Sequence, residues 1–147
     1  MSTVRIEQTF FVARTPDEVF DYVTNPAHLS SWQTSNRSIE ALTDGPVGAG
    51  SRFRERIKPA IGKEFEQVTE YAEFDRPNRV RVHVVEGPYR VDGSWTFQTD
   101  GAGTRVEFVA EGELTGPAKL LEPILRGLLA RQFAGYHRNL KRNIERG

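Results

Sequence analysis

The chain contains no cysteine. That absence removes disulfide staples, thiolate nucleophiles and cysteine-held metal centres together. Histidine is scarce as well: His28, His83 and His137 are too scattered to read as a metal triad. Excess charge is missing, since 20 Lys and Arg offset 20 Asp and Glu. A balanced chain offers no overall attraction for nucleic acid or another polyanion, so neutral partners are expected. No apolar run approaches the length that crosses a bilayer, and Met1-Ser2-Thr3-Val4-Arg5 has no apolar signal core. The expectation is a soluble cytoplasmic protein, a monomer or homodimer, with no cofactor and no bound metal. With 147 residues, 37% of them hydrophobic, the chain has enough material for one core, and residues 1–147 are expected to form one domain.

What is present falls into a regular order. Val4, Ile6, Gln8, Phe10 and Val12 alternate with Arg5, Glu7 and Thr9, which predicts a first strand with one buried face. Phe11 breaks that alternation and is expected to pack under the helix that follows. Thr15-Pro16-Asp17-Glu18 is a capping box with proline at the first helical position, so a helix starts there and buries Val19, Phe20 and Val23. Asn25-Pro26 repeats the signal for a second short helix reaching about Trp32. The stretch Thr43 to Gly50 holds three glycines and a proline and reads as a loop. Turn signals then recur at Pro59 to Gly62, Arg76-Pro77-Asn78, Gly87-Pro88 and Asp100 to Gly103, the punctuation of an antiparallel meander.

Charge sets the register of two hairpins, because residues directly opposite each other share a face and unlike charges favour that position. One register places Lys58 against Glu64, Arg56 against Glu66 and Arg52 against Glu70. The other places Gln98 against Arg105, Thr96 against Glu107, Asp92 against Glu111 and Arg90 against Glu113. Each makes one face polar. The opposite face then holds Phe53, Glu55, Ile57, Phe65, Gln67, Thr69, Tyr71, Val80, Val82, Val84, Val91, Gly93, Trp95, Phe97, Val106, Phe108, Ala110 and Leu114. It is apolar and aromatic with a few polar interruptions, as in a wall that holds a ligand rather than one that only closes a core.

The last third predicts a long amphipathic helix over that face. With Leu125 as the centre of its apolar stripe, Leu121, Leu128, Leu129 and Tyr136 lie near the centre and Phe133 and Leu140 on the flank. Gln132 and Asn139 fall inside the stripe and need polar partners there. Pro123 makes the helix start irregular. Gly135, inside the helix, costs about 1 kcal/mol relative to alanine and suggests a close approach or an opening.

The fold class expected is α+β, with a seven-stranded antiparallel sheet wrapped around a long C-terminal helix and two short helices after the first strand. The run Thr15 to Val23 through Asn25-Pro26 to Trp32, then Gly45 to Phe53, Val68-Thr69-Glu70-Tyr71, Gly103-Thr104-Arg105-Val106 and Leu140 to Glu145 resembles the polyketide cyclase/dehydrase and lipid-transport superfamily. That group, also called SRPBCC or START-like, has the helix-grip fold and includes the birch-pollen-allergen proteins. The resemblance implies a cavity between sheet and helix that takes hydrophobic small molecules. Its members include lipid carriers, hormone receptors, quinone-binding proteins and aromatase/cyclases, and fold alone does not choose among them.

Two function classes follow. In the first, the protein binds, carries or sequesters a hydrophobic or aromatic small molecule. Candidate contacts are Trp32, Phe53, Glu55, Gln67, Thr69, Tyr71, Val82, Val84, Tyr89, Gly93, Trp95, Phe108, Leu128, Gln132 and Tyr136. Trp95 against Phe108, beside the space left by Gly93, would give a flat aromatic surface. In the second, an enzyme of the cyclase, aromatase or dehydratase kind would use Glu55, Tyr71, Gln132 and Tyr136 as candidate catalytic groups. Glu55 reads either as a buried acid of raised pKa or as a carboxylate at the wet mouth of the cavity. His83 faces outward beside Glu70, and His137 and His28 are expected at the surface. Arg126, Arg131, Arg138, Lys141, Arg142 and Arg146 make the final helix basic, which suits either docking on an anionic membrane surface or acidic carrier protein, or simply its own dipole.

Overall fold

The computed structural model describes residues 2–59 and 62–147. Strand β1 (Ser2–Val12) leads into helices α1 (Pro16–Val23) and α2 (Pro26–Trp32). Six strands follow: β2 (Asn36–Ala41), β3 (Arg52–Ile57), β4 (Phe65–Asp75), β5 (Arg79–Glu86), β6 (Val91–Asp100) and β7 (Gly103–Leu114). A 3-10 turn at Gly116–Leu121 precedes the long helix α3 (Glu122–Arg146). The strands form one antiparallel sheet in the order β1-β7-β6-β5-β4-β3-β2, so the first strand closes against the last and β2 forms the far edge. This is the helix-grip α+β architecture.

Local chemistry explains the first turn of the chain. Thr15 caps α1 by accepting the Glu18 N–H at 3.3 Å and donates to the Glu18 carboxylate at 3.1 Å. Asn25 caps α2 through the Ala27 N–H at 2.9 Å. The apolar side of α1, namely Val19, Phe20 and Val23, is buried with Val12, Val80, Val106 and Leu140. Phe11 is not part of this. Its ring is 42% exposed on the outer side of β1, under the Lys141 ammonium 5.6 Å from its centroid, because strand alternation turns it away from the face that Phe10 and Val12 share.

The charge-read registers hold through the strands. Arg52 pairs with Glu70 at 2.7 Å and Arg56 with Glu66 at 3.1 Å on the outer face, and Trp95 stands opposite Phe108 on the inner one. The first fails at its end. Lys58 donates to the Gly62 carbonyl at 3.1 Å instead of meeting Glu64, which reaches Arg56 at 3.7 Å. The turn expected at Pro59 to Gly62 lies partly outside the described residues. In the other hairpin the register runs on past the β6–β7 ladder, where the Glu113 N–H still reaches the Arg90 carbonyl opposite it, at 3.4 Å. Register shifts between β4 and β5 set Glu86 opposite Val68, and Glu86 is exposed.

Helix α3 buries a different stretch from the one its leucines suggest. Tyr136, His137, Leu140 and Ile144 are its buried residues, whereas Leu121, Leu128 and Leu129 are 50%, 47% and 37% exposed. The reason is what lies beneath. The C-terminal half packs on β1 and α2, but the first half spans a hollow, where leucine side chains meet open space instead of core. Pro123 sits in the first turn, where its missing N–H has no intrahelical partner to lose.

Candidate functional site

That hollow is a cavity of about 990 Å³ between the inner face of the sheet and α3. It is within the range of small-molecule sites. The alternation of β3 to β7 brings Phe53, Val82, Val84, Trp95 and Phe108 onto one wall, and α3 supplies Leu128, Gln132, Phe133 and Tyr136 as the roof. Trp32, Gln67, Thr69, Tyr71, Tyr89 and Gly93 lie on its surface as well, so every residue the sequence assigns to ligand contact is a lining residue.

The polar centre of the cavity is Glu55. Strand β3 turns it inward between Phe53 and Ile57, and it is only 6% exposed. Its Oε1 accepts from Asn36 Nδ2 at 2.7 Å and its Oε2 from Thr69 Oγ1 at 2.5 Å. Burial raises its pKa above the ordinary carboxylate value, while hydrogen bonds from Thr69, Gln67 and Asn36 pull it down. Of the two sequence readings, the buried position is the one the structure shows, not the wet mouth. Close by, burial and then the Glu55 charge push the Tyr71 phenol far above its usual range. Burial raises Tyr136 as well, against hydrogen bonding to Ser35. The two amides in the helix stripe find the partners they need: Gln132 Nε2 donates to Ser35 Oγ at 3.0 Å and Asn139 Nδ2 to the Trp32 carbonyl at 3.3 Å.

The model of the family described as polyketide cyclase/dehydrase and lipid transport matches residues 3–145. The chain belongs to this family. Solved structures share its fold. TTHA0849 from Thermus thermophilus is 26% identical with a TM-score of 0.82, over 95% of this chain and 96% of that one. The Zhui aromatase/cyclase from Streptomyces sp. R1128 is 16% identical with a TM-score of 0.80, over 99% and 95%. Ara h 8.0201 is 12% identical with a TM-score of 0.75, over 99% and 100%. No curated protein matches the chain in sequence.

Within this polyketide cyclase/dehydrase and lipid-transport fold, several expected roles change. Trp95 and Phe108 do not make a flat platform: their rings are tilted by 40° at 4.9 Å, and both are buried. Gly93 lines the cavity, yet a Cβ there would meet both rings at 3.7 Å, so the glycine leaves no open space. Gly135 has no backbone close by that would require glycine. Tyr89 is carried by the β5–β6 turn, 59% exposed, and stacks edge-on against Phe65 at the rim. Leu128 contacts the cavity but is no part of the core. Trp32 is a core residue as much as a lining one; its indole N–H is buried without a partner among the described residues.

His137 is the largest correction, for it is 4% exposed rather than at the surface. Trp95 Nε1 donates to its Nε2 at 3.2 Å, and an indole can only donate, so Nε2 is the acceptor and Nδ1 carries the proton. Nδ1 then donates to Gln8 Oε1 at 2.8 Å, and Gln8 Nε2 donates to the Ala130 carbonyl at 2.7 Å. Burial holds its pKa down to about 4. This chain of bonds ties β6 and β1 to α3 beneath the cavity. The other two histidines behave as read: His83 bonds Glu70 at 3.1 Å on the outer face, and His28, partly exposed, stacks on Tyr22. Sequence reasoning missed Asn36, Ser35 and Gln8 as polar partners. For Gln8 a signal existed, a polar residue at an inward position of β1.

Proposed function

We propose that the protein binds a hydrophobic or aromatic small molecule in this cavity, as a carrier or sequestering protein. The observation behind the reading is a hollow of about 990 Å³ whose walls are mostly apolar, with polar groups such as Glu55, Gln67 and Thr69 among them. A side chain set chosen only for stability would have closed such a space, because each unfilled volume forfeits packing energy. Membership in a family whose description spans lipid transport and polyketide chemistry supports the same class of ligand.

The test is a neutral environment-sensitive dye, N-phenyl-1-naphthylamine. It should bind one molecule per chain, and Val84→Trp, which fills the cavity from an inward position of β5, should weaken binding at least tenfold in a protein that stays folded by circular dichroism. Equal dye affinity in a folded Val84→Trp variant would contradict the reading.

A second reading, acid–base chemistry on the bound molecule of the cyclase or dehydratase kind, rests on one observation. Glu55 is a buried carboxyl of raised pKa on the cavity wall, the state a proton donor needs near neutral pH. Tyr71 stands near enough to feel its charge. A carboxyl NMR titration separates the two readings, since a donor must still hold its proton at about pH 6.

A further inference from the structure

We propose that the cavity selects ligands whose polar end donates a hydrogen bond, a hydroxyl or a protonated amine, and turns away carboxylates, with Glu55 as the acceptor. The inference deepens the ligand-binding reading and rests on it. A carboxylate presents about four acceptor positions on its two oxygens. Asn36 Nδ2 at 2.7 Å and Thr69 Oγ1 at 2.5 Å take one on each, and a side-chain bond from Gln67 takes a third, which leaves about one acceptor position. Glu55 is also on the lining, so acceptor capacity remains that a ligand can reach. An acceptor-only group brought to the same place would meet lone pairs.

The neighbours do not reverse this preference. The Trp32 indole N–H, on the lining and without a partner among the described residues, is a neutral donor and carries no charge to offset that of Glu55. Thr69 Oγ1 spends its hydrogen on Glu55 and Gln132 Nε2 donates to Ser35, so neither of these faces the cavity as a free donor. The cations on the lining, Arg90, Arg131 and Arg138, are all exposed, where water and salt screen them. Buried charge outweighs exposed charge here, because the interaction strengthens as solvent is excluded. No described Lys or Arg forms an ion pair with Glu55, so a ligand ammonium would be its only counter-ion. A carboxylate ligand would add a second negative charge to a site that already disfavours the first.

Three competitors with one ten-carbon tail decide the matter: decylammonium, decanol and decanoate, each displacing N-phenyl-1-naphthylamine at pH 7.5. The expected order is decylammonium and decanol ahead of decanoate, with decylammonium at least tenfold better than decanoate. In Glu55→Gln that ratio should fall to about threefold or less. The arginines on the rim, acting alone, would give the opposite order. Decanoate equal to or better than decylammonium on the native protein would overturn the proposal, as would an unchanged ratio in a folded Glu55→Gln variant. Should that variant not fold, the order on the native protein decides by itself. Failure of the dye to bind would instead sink the cavity reading and this proposal with it, whereas good dye binding with the wrong order removes this proposal alone.

Discussion

Glu55 and His137 are both buried, and burial moves their pKa values in opposite directions because one is charged when it loses a proton and the other when it gains one. For Glu55 the folded pKa lies above the unfolded one. Its contribution to stability is therefore complete at acid pH and is lost as pH rises through the folded pKa. Glu55→Gln removes that loss, so the variant should gain stability relative to the native protein between pH 5 and pH 8 in urea unfolding; a relative decline over that range would contradict the burial. His137 has the reverse sign. Its pKa falls from 6.5 to about 4, so the stability of the neutral ring is complete above pH 6.5 and is lost as pH falls towards 4. The linkage amounts to about 3 kcal/mol. His137→Phe should flatten this acid loss while costing about 1–3 kcal/mol at pH 8, since the Trp95 indole N–H loses its acceptor. A native protein as stable at pH 4.5 as at pH 7.5, once the Glu55 contribution is removed, would argue against a buried neutral imidazole.

The elements differ in how far the sequence discloses them. Strand pairing was legible where charge marks the register, as at Arg56 with Glu66, because cross-strand attraction and face alternation act locally. Bulges were not, since the shift that sets Glu86 opposite Val68 depends on how β4 bends around the cavity. In α3 the stripe Phe133, Tyr136-His137, Leu140 and Ile144 was present at helical spacing, but the leucine-rich first half drew the centre to Leu125. Composition cannot reveal that one half of a helix covers core and the other covers empty space. The consequence is measurable. Leu140→Ala, at a site 0% exposed, should cost about 2–5 kcal/mol, while Leu128→Ala, 47% exposed in the first half, should stay within about 0.5 kcal/mol. Equal losses would place the two halves in the same environment. On the outer face, exchanging Arg56 and Glu66, which are 51% and 55% exposed, should change stability by less than about 1 kcal/mol.

For the whole molecule the fold and the cavity walls follow from patterning, whereas the polar centre does not. Every candidate contact named from the sequence lines the cavity, because strand alternation in the sheet and helical spacing in α3 decide most of the residues that face inward. Asn36 could not be found that way. It lies at the start of β2, a mostly polar edge strand, and meets Glu55 only because the sheet carries β2 beside β3. That an apolar molecule enters this space and no other is tested most directly by amide and indole chemical shifts of the ¹⁵N-labelled protein titrated with decanol. Val82, Val84, Tyr71 and the Trp95 indole should shift in a saturable, one-to-one manner, while outer-face Arg56, Glu66 and His83 should not. Shifts confined to the exposed apolar residues Leu120, Leu121 and Ile124, with the inner strands unmoved, would contradict it.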